Sequence, residues 1–423
     1  MKSIPLKLVP FTGCITALLM SLQVQALDLT DDTKFYVPPP NAGAIDQYWD
    51  LAYTGQRLEA SMIKEMIDTP QAVWIAQGTP DDARRQAKRV TRKAASKNQV
   101  PVIALYNIPF RDCAQYSAGG ATSPEEYLAW VEGVAEGIGD RDAVIILEPD
   151  GLGIIPFYQP LYGDMEWCQP AEANPATAAD DRFYMLNTAV QILKALPNTR
   201  VYLDGTHSAW LGVGEAADRL AKAGIWDADG FFLNTSNYQP QTALETFGYW
   251  VSACLTICDA EGHWHYGHFD WCASQYVDGV ADYSPENVAA VNDSYANLLA
   301  DVGEDPAVNF VIDTSRNGIG PWVPEIPPGV EGDPQDWCNP PDRGIGLRPG
   351  TETTSDLIDA YLWIKLPGES DGECNRWEPW GSPDPVRGMI DPAAGVWFPE
   401  MALELVTYAN PEIDLCPWGH RAD

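Results

Sequence analysis

Seven short apolar runs recur along the chain, and nearly every one ends in a polar or charged residue: AVWIA from 72, VPVIALYNI from 100, AVIILEPD from 143, RVYLDGT from 200, GFFLNTSNY from 230, NFVIDTSRN from 309 and DAYLWIKLPG from 359. Stretches of helical composition at 80–98, 123–139, 181–196, 213–223 and 284–301 separate most of them, several opened by Ser-Pro or Asp caps. Strands alternating with helices imply an α/β fold with a parallel sheet. Within each run there is little alternation of apolar and polar residues, as expected when both faces of the sheet are covered. The polar residues gather at the strand ends: Asn107, Asp150, Asp204 with His207, Asn234 with Asn237, Asp313 with Arg316, and Lys365. That placement favours a barrel over an open doubly wound sheet. No Gly-rich phosphate loop follows the first run, so a dinucleotide fold ranks second.

Five aspartates, 112, 150, 204, 313 and 371, fall at these ends or just past them, with Glu369 beside the last. Breaking a glycosidic bond needs one carboxyl group that keeps its proton and another that stays ionised, so clustered carboxylates point to glycosyl transfer. Any one of them is equally readable as the cap of the next helix; five together are not. The chain has 16 Trp and 18 Tyr, and Trp74, Trp210, Trp322 and Trp337 lie in or near the strand-end loops. Indole faces stack on the apolar faces of sugars, although a lone Trp is more often a core residue. The stretch GHWHYGHFDWC gathers His263, His265, His268, Asp270 and Cys272. Its spacing matches no finger or zincin pattern, and no metal site is expected there.

The net charge of −34 repels nucleic-acid phosphates and anionic membranes, leaving neutral or cationic partners, and suits a heavily solvated, salt-tolerant surface. Residues 1–26 carry lysines at 2 and 7, an apolar stretch and a Val-Gln-Ala end, and are read as an export signal. Residues 27–423 are expected to form one extracellular domain, a monomer, with no bilayer-spanning run. Removing the signal takes Cys14 and leaves eight cysteines, at 113, 168, 254, 258, 272, 338, 374 and 416, enough for four disulfides. Three cysteine-bearing stretches interrupt the strand rhythm, from 157, from 254, and over 318–350. Such loops would wall a cleft. The opening segment from Phe35, FYVPPPNAGAIDQYW, reads as extended.

Taken in order, YNIPFRDC (106–113), ILEPDGL (146–152), YLDGTHSAWLG (202–212), LNTSNY (233–238), VIDTSRNGIGP (311–321), DWCNP (336–340) and WIKLPGESDGEC (363–374) resemble glycoside hydrolase family 6, the cellulases that include endoglucanases and cellobiohydrolases. The resemblance covers nearly all of the chain after residue 26. It implies a distorted seven-stranded parallel β/α barrel with disulfide-tied loops over the cleft, inverting hydrolysis of β-1,4-glucan, and no cofactor. Carried over, Asp150 is the general acid, Asp112 helps hold it protonated, and Asp371 is the candidate base, acting directly or through a water chain. Tyr106 lies under the distorted sugar and Asp204 supports the site. Trp74, His207, Trp210, Asn237, Trp337, Lys365 and Glu369 match substrate-binding positions. The resemblance also implies Cys113–Cys168 and Cys338–Cys374 bridges; the other four cysteines are unassigned.

The chain departs from that pattern in three places. Ala118 stands where the family commonly has a water-ordering serine, with Ser117 one place earlier. Val213 replaces a second tryptophan that serves some fungal cellobiohydrolases as a far leaving-group platform. The 254–280 insertion has no counterpart. The leading expectation is an endoglucanase, followed by a cellobiohydrolase. A catalytically dead glucan-binding protein and a metal-dependent hydrolase built on His263, His265 and His268 rank behind them.

Overall fold

In the computed structural model, residues 27–415 other than 331 are described. The expected export signal and Cys416 lie outside them. All seven apolar runs become strands: β1 (Val73–Ile75), β2 (Val102–Leu105), β3 (Ala143–Leu147), β4 (Thr199–Asp204), β5 (Gly230–Leu233), β6 (Asn309–Asp313) and β7 (Ile358–Leu362). They form one sheet in chain order, and every neighbouring pair is parallel.

The missing alternation has a direct cause. Successive residues go to two different cores and both are apolar. Ile103, Ile145, Val201, Phe231 and Phe310 pack outward against the helices, whereas Ala104, Ile146, Tyr202, Phe232, Val311 and Leu362 meet in a second, inner cluster. That residues of β2 and β7 share the inner cluster shows how strongly the sheet curls.

The curl stops short of the expected barrel. Among the described residues no ladder joins β7 to β1. The seam is crossed instead by a backbone hydrogen bond from Ala72 N–H to Trp363 O (2.9 Å) and one from the Trp74 indole to Ile364 O (2.8 Å). Strand β1 is three residues long, and both contacts fall beyond the end of β7, so there is no overlap to pair. Helices cover the seam from outside. Residues from α1 (Ala42–Tyr53), α2 (Arg57–Asp68) and a C-terminal helix (Pro399–Thr407) pack with Trp363 and Trp397 in a third cluster.

The five expected helices appear as α3 (Pro80–Ala95), α4 (Pro124–Ile138), α5 (Ala178–Lys194), α6 (Val213–Lys222) and α8 (Pro285–Val302), with α7 (Gln241–Asp259) between the last two. Ser123 and Ser284 cap α4 and α8 with a proline at the first helical turn. Two expectations need correction. The segment from Phe35 is extended only to Asn41, whose side chain caps α1. Residues 254–259, expected in a loop, are the last turns of α7. The rest of the insertion forms loops and a two-residue hairpin, Tyr276–Val277 with Val280–Ala281. Three disulfides, Cys113–Cys168, Cys254–Cys272 and Cys338–Cys374, tie the long loops; Cys258 is a buried free thiol.

Candidate active site

Leu105, Leu147 and Leu203 are register partners across β2, β3 and β4, so the chain leaves the sheet at one level through Tyr106, Glu148 and Asp204. The turns there are tight. Asp112, Cys113, Glu148, Asp150, Thr206, Asn234 and Ser236 all have positive φ without being glycine, a concentration of backbone strain of the kind found at functional sites. After Asp150 the glycines are required by contact. A Cβ on Gly151 would lie 2.6 Å from Glu148 O, and one on Gly153 2.5 Å from the Trp210 ring.

The carboxyl of Asp150 makes no hydrogen bond to another described residue, and its pKa is pushed well above the usual carboxylate range by burial and then by the charges of Asp204, Asp112 and Asp371. Asp112 accepts from Ser117 N–H at 2.6 Å, and burial lifts its pKa to about 6. Asp204 is likewise lifted to about 6 by burial, against hydrogen bonds from the N–H groups of Leu152, Gly153 and Thr206. Through them it holds the loop that carries Asp150. Tyr106 feels both Asp150 and Asp112, and its ring meets Trp74 edge-on at 5.3 Å and the Arg111 guanidinium at 4.7 Å.

Asp371 has the opposite setting. Burial alone would raise its pKa, yet the charges of Arg316 and Lys365 and the hydrogen bonds around it bring it below the ordinary value. Lys365 Nζ lies 3.2 Å from its Oδ1, Asn339 N–H donates to Oδ2 at 3.1 Å and the Tyr238 hydroxyl at 3.4 Å. Within one electrostatic neighbourhood, one acid is pushed toward its neutral form and the other toward its ionised form.

Most of the expected binding residues surround this group. His207 accepts from Ala209 N–H at Nδ1 (3.2 Å) and sits 5.7 Å from the Trp210 ring; burial drops its pKa to about 3, so it is neutral. Trp337 belongs to an aromatic group in which Tyr116 lies 6.4 Å away and stacks on Trp380 at 5.2 Å. Glu369 accepts from Asn41 Nδ2 at 2.8 Å, and Asn237 donates within its own turn, from Nδ2 to Thr235 O and from its N–H to Asn234 O. Asp313 has a structural job: it is buried and accepts from the N–H groups of Ser315, Ile364 and Lys365, locking β6 to β7.

Sequence reasoning passed over the groups that hold these side chains. Glu148, wholly buried, accepts from Asn107 N–H at 2.8 Å and Ile108 N–H at 3.0 Å. Arg182 of α5 donates to Gly151 O, Ile154 O and Pro109 O, and Arg219 of α6 to Leu152 O. Glu148 lies in the ILEPDGL motif, whereas Arg182 and Arg219 lie outside the motifs, in stretches marked only by helical composition. Among the described residues the three histidines form no ligand cluster: His263 meets Asp301 at 3.1 Å and its ring lies 5.8 Å from that of His265, while His268 stacks on Trp271 at 3.7 Å.

A model of the family described as glycosyl hydrolases family 6 matches residues 30–409. The chain belongs to that family. It is 30% identical over 377 residues to endoglucanase A of Cellulomonas fimi, covering 89% of this chain and 61% of the relative, so it spans about three fifths of that protein's length. It is 28% identical over 378 residues to a probable 1,4-β-D-glucan cellobiohydrolase C of Aspergillus fumigatus, covering 82% and 70%. Among solved structures it resembles the endoglucanase Cel6 of Mycobacterium tuberculosis, in complex with methyl-cellobiosyl-4-deoxy-4-thio-β-D-cellobioside. The TM-score is 0.61 at 29% identity, covering 89% of this chain and 97% of that one. Both disulfides that the family 6 resemblance implied are present. Val213 is fully buried in α6 and offers no platform. Ser117 meets Asp112 through its backbone.

Proposed function

We propose that this protein hydrolyses β-1,4-linked glucan within the chain, with inversion at the anomeric carbon. The observation that carries this reading is the contrast in surroundings between Asp150, buried among other carboxylates, and Asp371, paired with Arg316 and Lys365. Asp150 transfers its proton to the glycosidic oxygen as the C1–O bond breaks, releasing the leaving chain with a free 4-hydroxyl. Water attacks C1 from the opposite face and forms the new C1–O bond. Its released proton passes to a carboxylate, directly or along waters, and reprotonation of Asp150 from solvent closes the cycle.

Asp371 supplies the fixed negative charge that stabilises the oxocarbenium-like transition state. Its two cationic partners weaken it as a base. Asp112, with a pKa of about 6, is the stronger proton acceptor and also disfavours ionisation of Asp150. Tyr106 and Trp74 form the floor under the reacting sugar, and His207, Trp210, Asn237, Trp337, Lys365 and Glu369 hold its neighbours. No cofactor takes part.

The three disulfides support an oxidising, extracellular location, reached through the export signal at 1–26, for a monomeric domain of residues 27–423. Among the described residues no helix is long and apolar enough to cross a membrane.

The test is a time course on cellohexaose and carboxymethylcellulose, following viscosity and anomeric configuration. Rapid viscosity loss with α-anomer products is expected, and β-anomer products would sink the mechanism. The disulfide-tied loops and the Aspergillus relative favour one second reading, chain-end release of cellobiose, which predicts slow viscosity loss instead.

A further inference from the structure

The loop that follows Asp371 folds back on itself between residues 384 and 391. Asp384 N–H donates to Met389 O and Gly388 N–H to Asp384 O, both at 2.7 Å. The turn gathers the carboxyl groups of Asp384 and Asp391, each with an oxygen within 4.8 Å of the other's and of the Cys374 sulfur. The two aspartates are 0% and 2% exposed, and each uses one oxygen. Asp384 Oδ1 accepts from Arg376 Nε at 2.9 Å and from Val386 N–H at 2.7 Å, and Asp391 Oδ2 accepts from Asn339 Nδ2 at 2.9 Å. The other two oxygens, Asp384 Oδ2 and Asp391 Oδ1, are buried and meet no donor among the described residues.

A buried acceptor without a partner gives up its water and gains nothing in return, and here the charges do not balance either. Asp333, Asp384 and Asp391 bring three carboxylates. Against them stands the one guanidinium of Arg376, bonded to Asp333 and Asp384 at 2.9 Å each; Arg387 is engaged by Glu404 at 2.7 Å. When all three are ionised the group carries an excess of two negative charges away from water, and without an ion only a proton between Asp384 and Asp391 relieves it. The donor chemistry selects the ion. The Cys374 sulfur is committed to its bridge with Cys338, so no thiolate is on offer, and carboxylate oxygens suit a hard cation. Calcium accepts irregular oxygen shells, whereas magnesium demands a regular octahedron and sheds its water reluctantly.

We propose that Asp384 and Asp391 form a structural site for one divalent cation, calcium, which neutralises this excess and ties the loop together. The ion lies one residue away from the catalytic wall. Asn339 Nδ2, which holds Asp391, also donates to Ser370 Oγ and Gly372 O, while the Asn339 N–H donates to Asp371 Oδ2 and its Oδ1 accepts from Asp371 N–H at 2.8 Å. Through Asn339 the ion braces the loop that carries Asp371; it takes no part in bond breaking.

The test is the melting temperature of the whole protein, stripped with EGTA and then measured in EGTA, in calcium chloride and in magnesium chloride at matched ionic strength, for the wild type, Asp391→Asn and Asp384→Asn. Calcium at about a hundredfold excess over its Kd should raise the wild-type Tm by roughly 3 °C, and magnesium by less. Asp391→Asn removes one charge and sets an amide donor beside the orphaned oxygen of Asp384, so it should melt in EGTA no lower than the wild type and gain nothing from calcium. Asp384→Asn, which keeps an acceptor for Arg376, should lose the response as well. No calcium shift in the wild type overturns the site. The same shift in either variant also overturns it, because the ion is then bound only diffusely by an acidic surface. A larger shift from magnesium than from calcium overturns the choice of ion. None of these readouts involves a substrate, so the site stands or falls apart from the glucanase reading.

Discussion

Arg316 donates from a single nitrogen, Nη1, to both carboxylate oxygens of Asp371, at 2.9 and 2.8 Å, with both side chains buried. The pair fixes the charge on Asp371 before substrate arrives. Arg316→Lys keeps a cation but loses the planar guanidinium. The negative charge of Asp371 is then held less firmly, so kcat falls on the order of tenfold, while the acidic limb of kcat/KM stays where Asp112, with a pKa of about 6, sets it. A pH–rate profile measures both; an unchanged kcat, or a limb that moves with this substitution, would contradict these roles.

Asp150→Asn removes the proton donor at nearly constant shape. The kcat on cellohexaose should fall about 10²- to 10⁴-fold, while an aryl cellobioside whose leaving group needs no proton loses far less. Equal losses on the two substrates would rule out Asp150 as the acid.

Glu148 links the end of β3 to the backbone that follows β2, through the N–H groups of Asn107 and Ile108. Glu148→Ala orphans both donors, each at a cost of about 1–3 kcal/mol, and Tyr106 and Asp112 lose their support. Denaturant unfolding should show the stability loss and kinetics a parallel loss of kcat, with Glu148→Gln milder in both. Wild-type stability in the alanine variant would leave the clamp without a role.

Burial raises the folded-state pKa of Glu148 to about 7 and those of Asp112, Asp204 and Asp391 to about 6. A raised carboxyl pKa stabilises the fold below the unfolded value near 4, and that contribution is lost as pH climbs through the folded value. Asp371, with a lowered pKa, acts in the other direction only below about 4, and His207, lowered to about 3, opposes the trend up to about 6.5, one group against four. The Tm should therefore fall as pH rises from about 5 to 8. Calorimetry across that range decides it; a flat or rising Tm contradicts the assigned shifts.

Self-repulsion across a surface of net charge −34 is screened at a Debye length of about 3 Å in 1 M salt. Buried pairs such as Arg376 with Asp333 and Asp384 are shielded from that screening. Activity and folding should both persist in molar NaCl, with Tm unchanged or higher. Collapse of either would assign the acidity another role.

What was legible in the sequence follows from which signals are local. The seven strands stood out because both of their neighbouring residues at each step enter a core, which writes an unbroken apolar run, and their polar ends marked the site. Helix α7 gave no comparable signal: Phe247, Trp250, Val251, Leu255 and Ile257 are all buried, so it lacks the polar stripe by which helices are recognised. Asp313 looked like its catalytic neighbours, because only the fold reveals that it is engaged by backbone N–H groups from β7's end. The partnership of Arg316 with Asp371 spans 55 residues and is invisible to periodicity. The open seam was equally hidden, since no local pattern records whether a first and a last strand overlap.

That seam separates two properties a sealed barrel would bind together. In a closed ring, strand number and shear set the circumference, and with it the distance between opposite walls. Here the ladder runs only from β1 to β7, so the separation between the β2–β4 posts and the Asp371 loop is not dictated by hydrogen-bond register. It is governed by what staples the loops and by the helices packed behind Trp363. Groove width can thus drift between ancestors and descendants without disturbing the strand ends on which the acids stand.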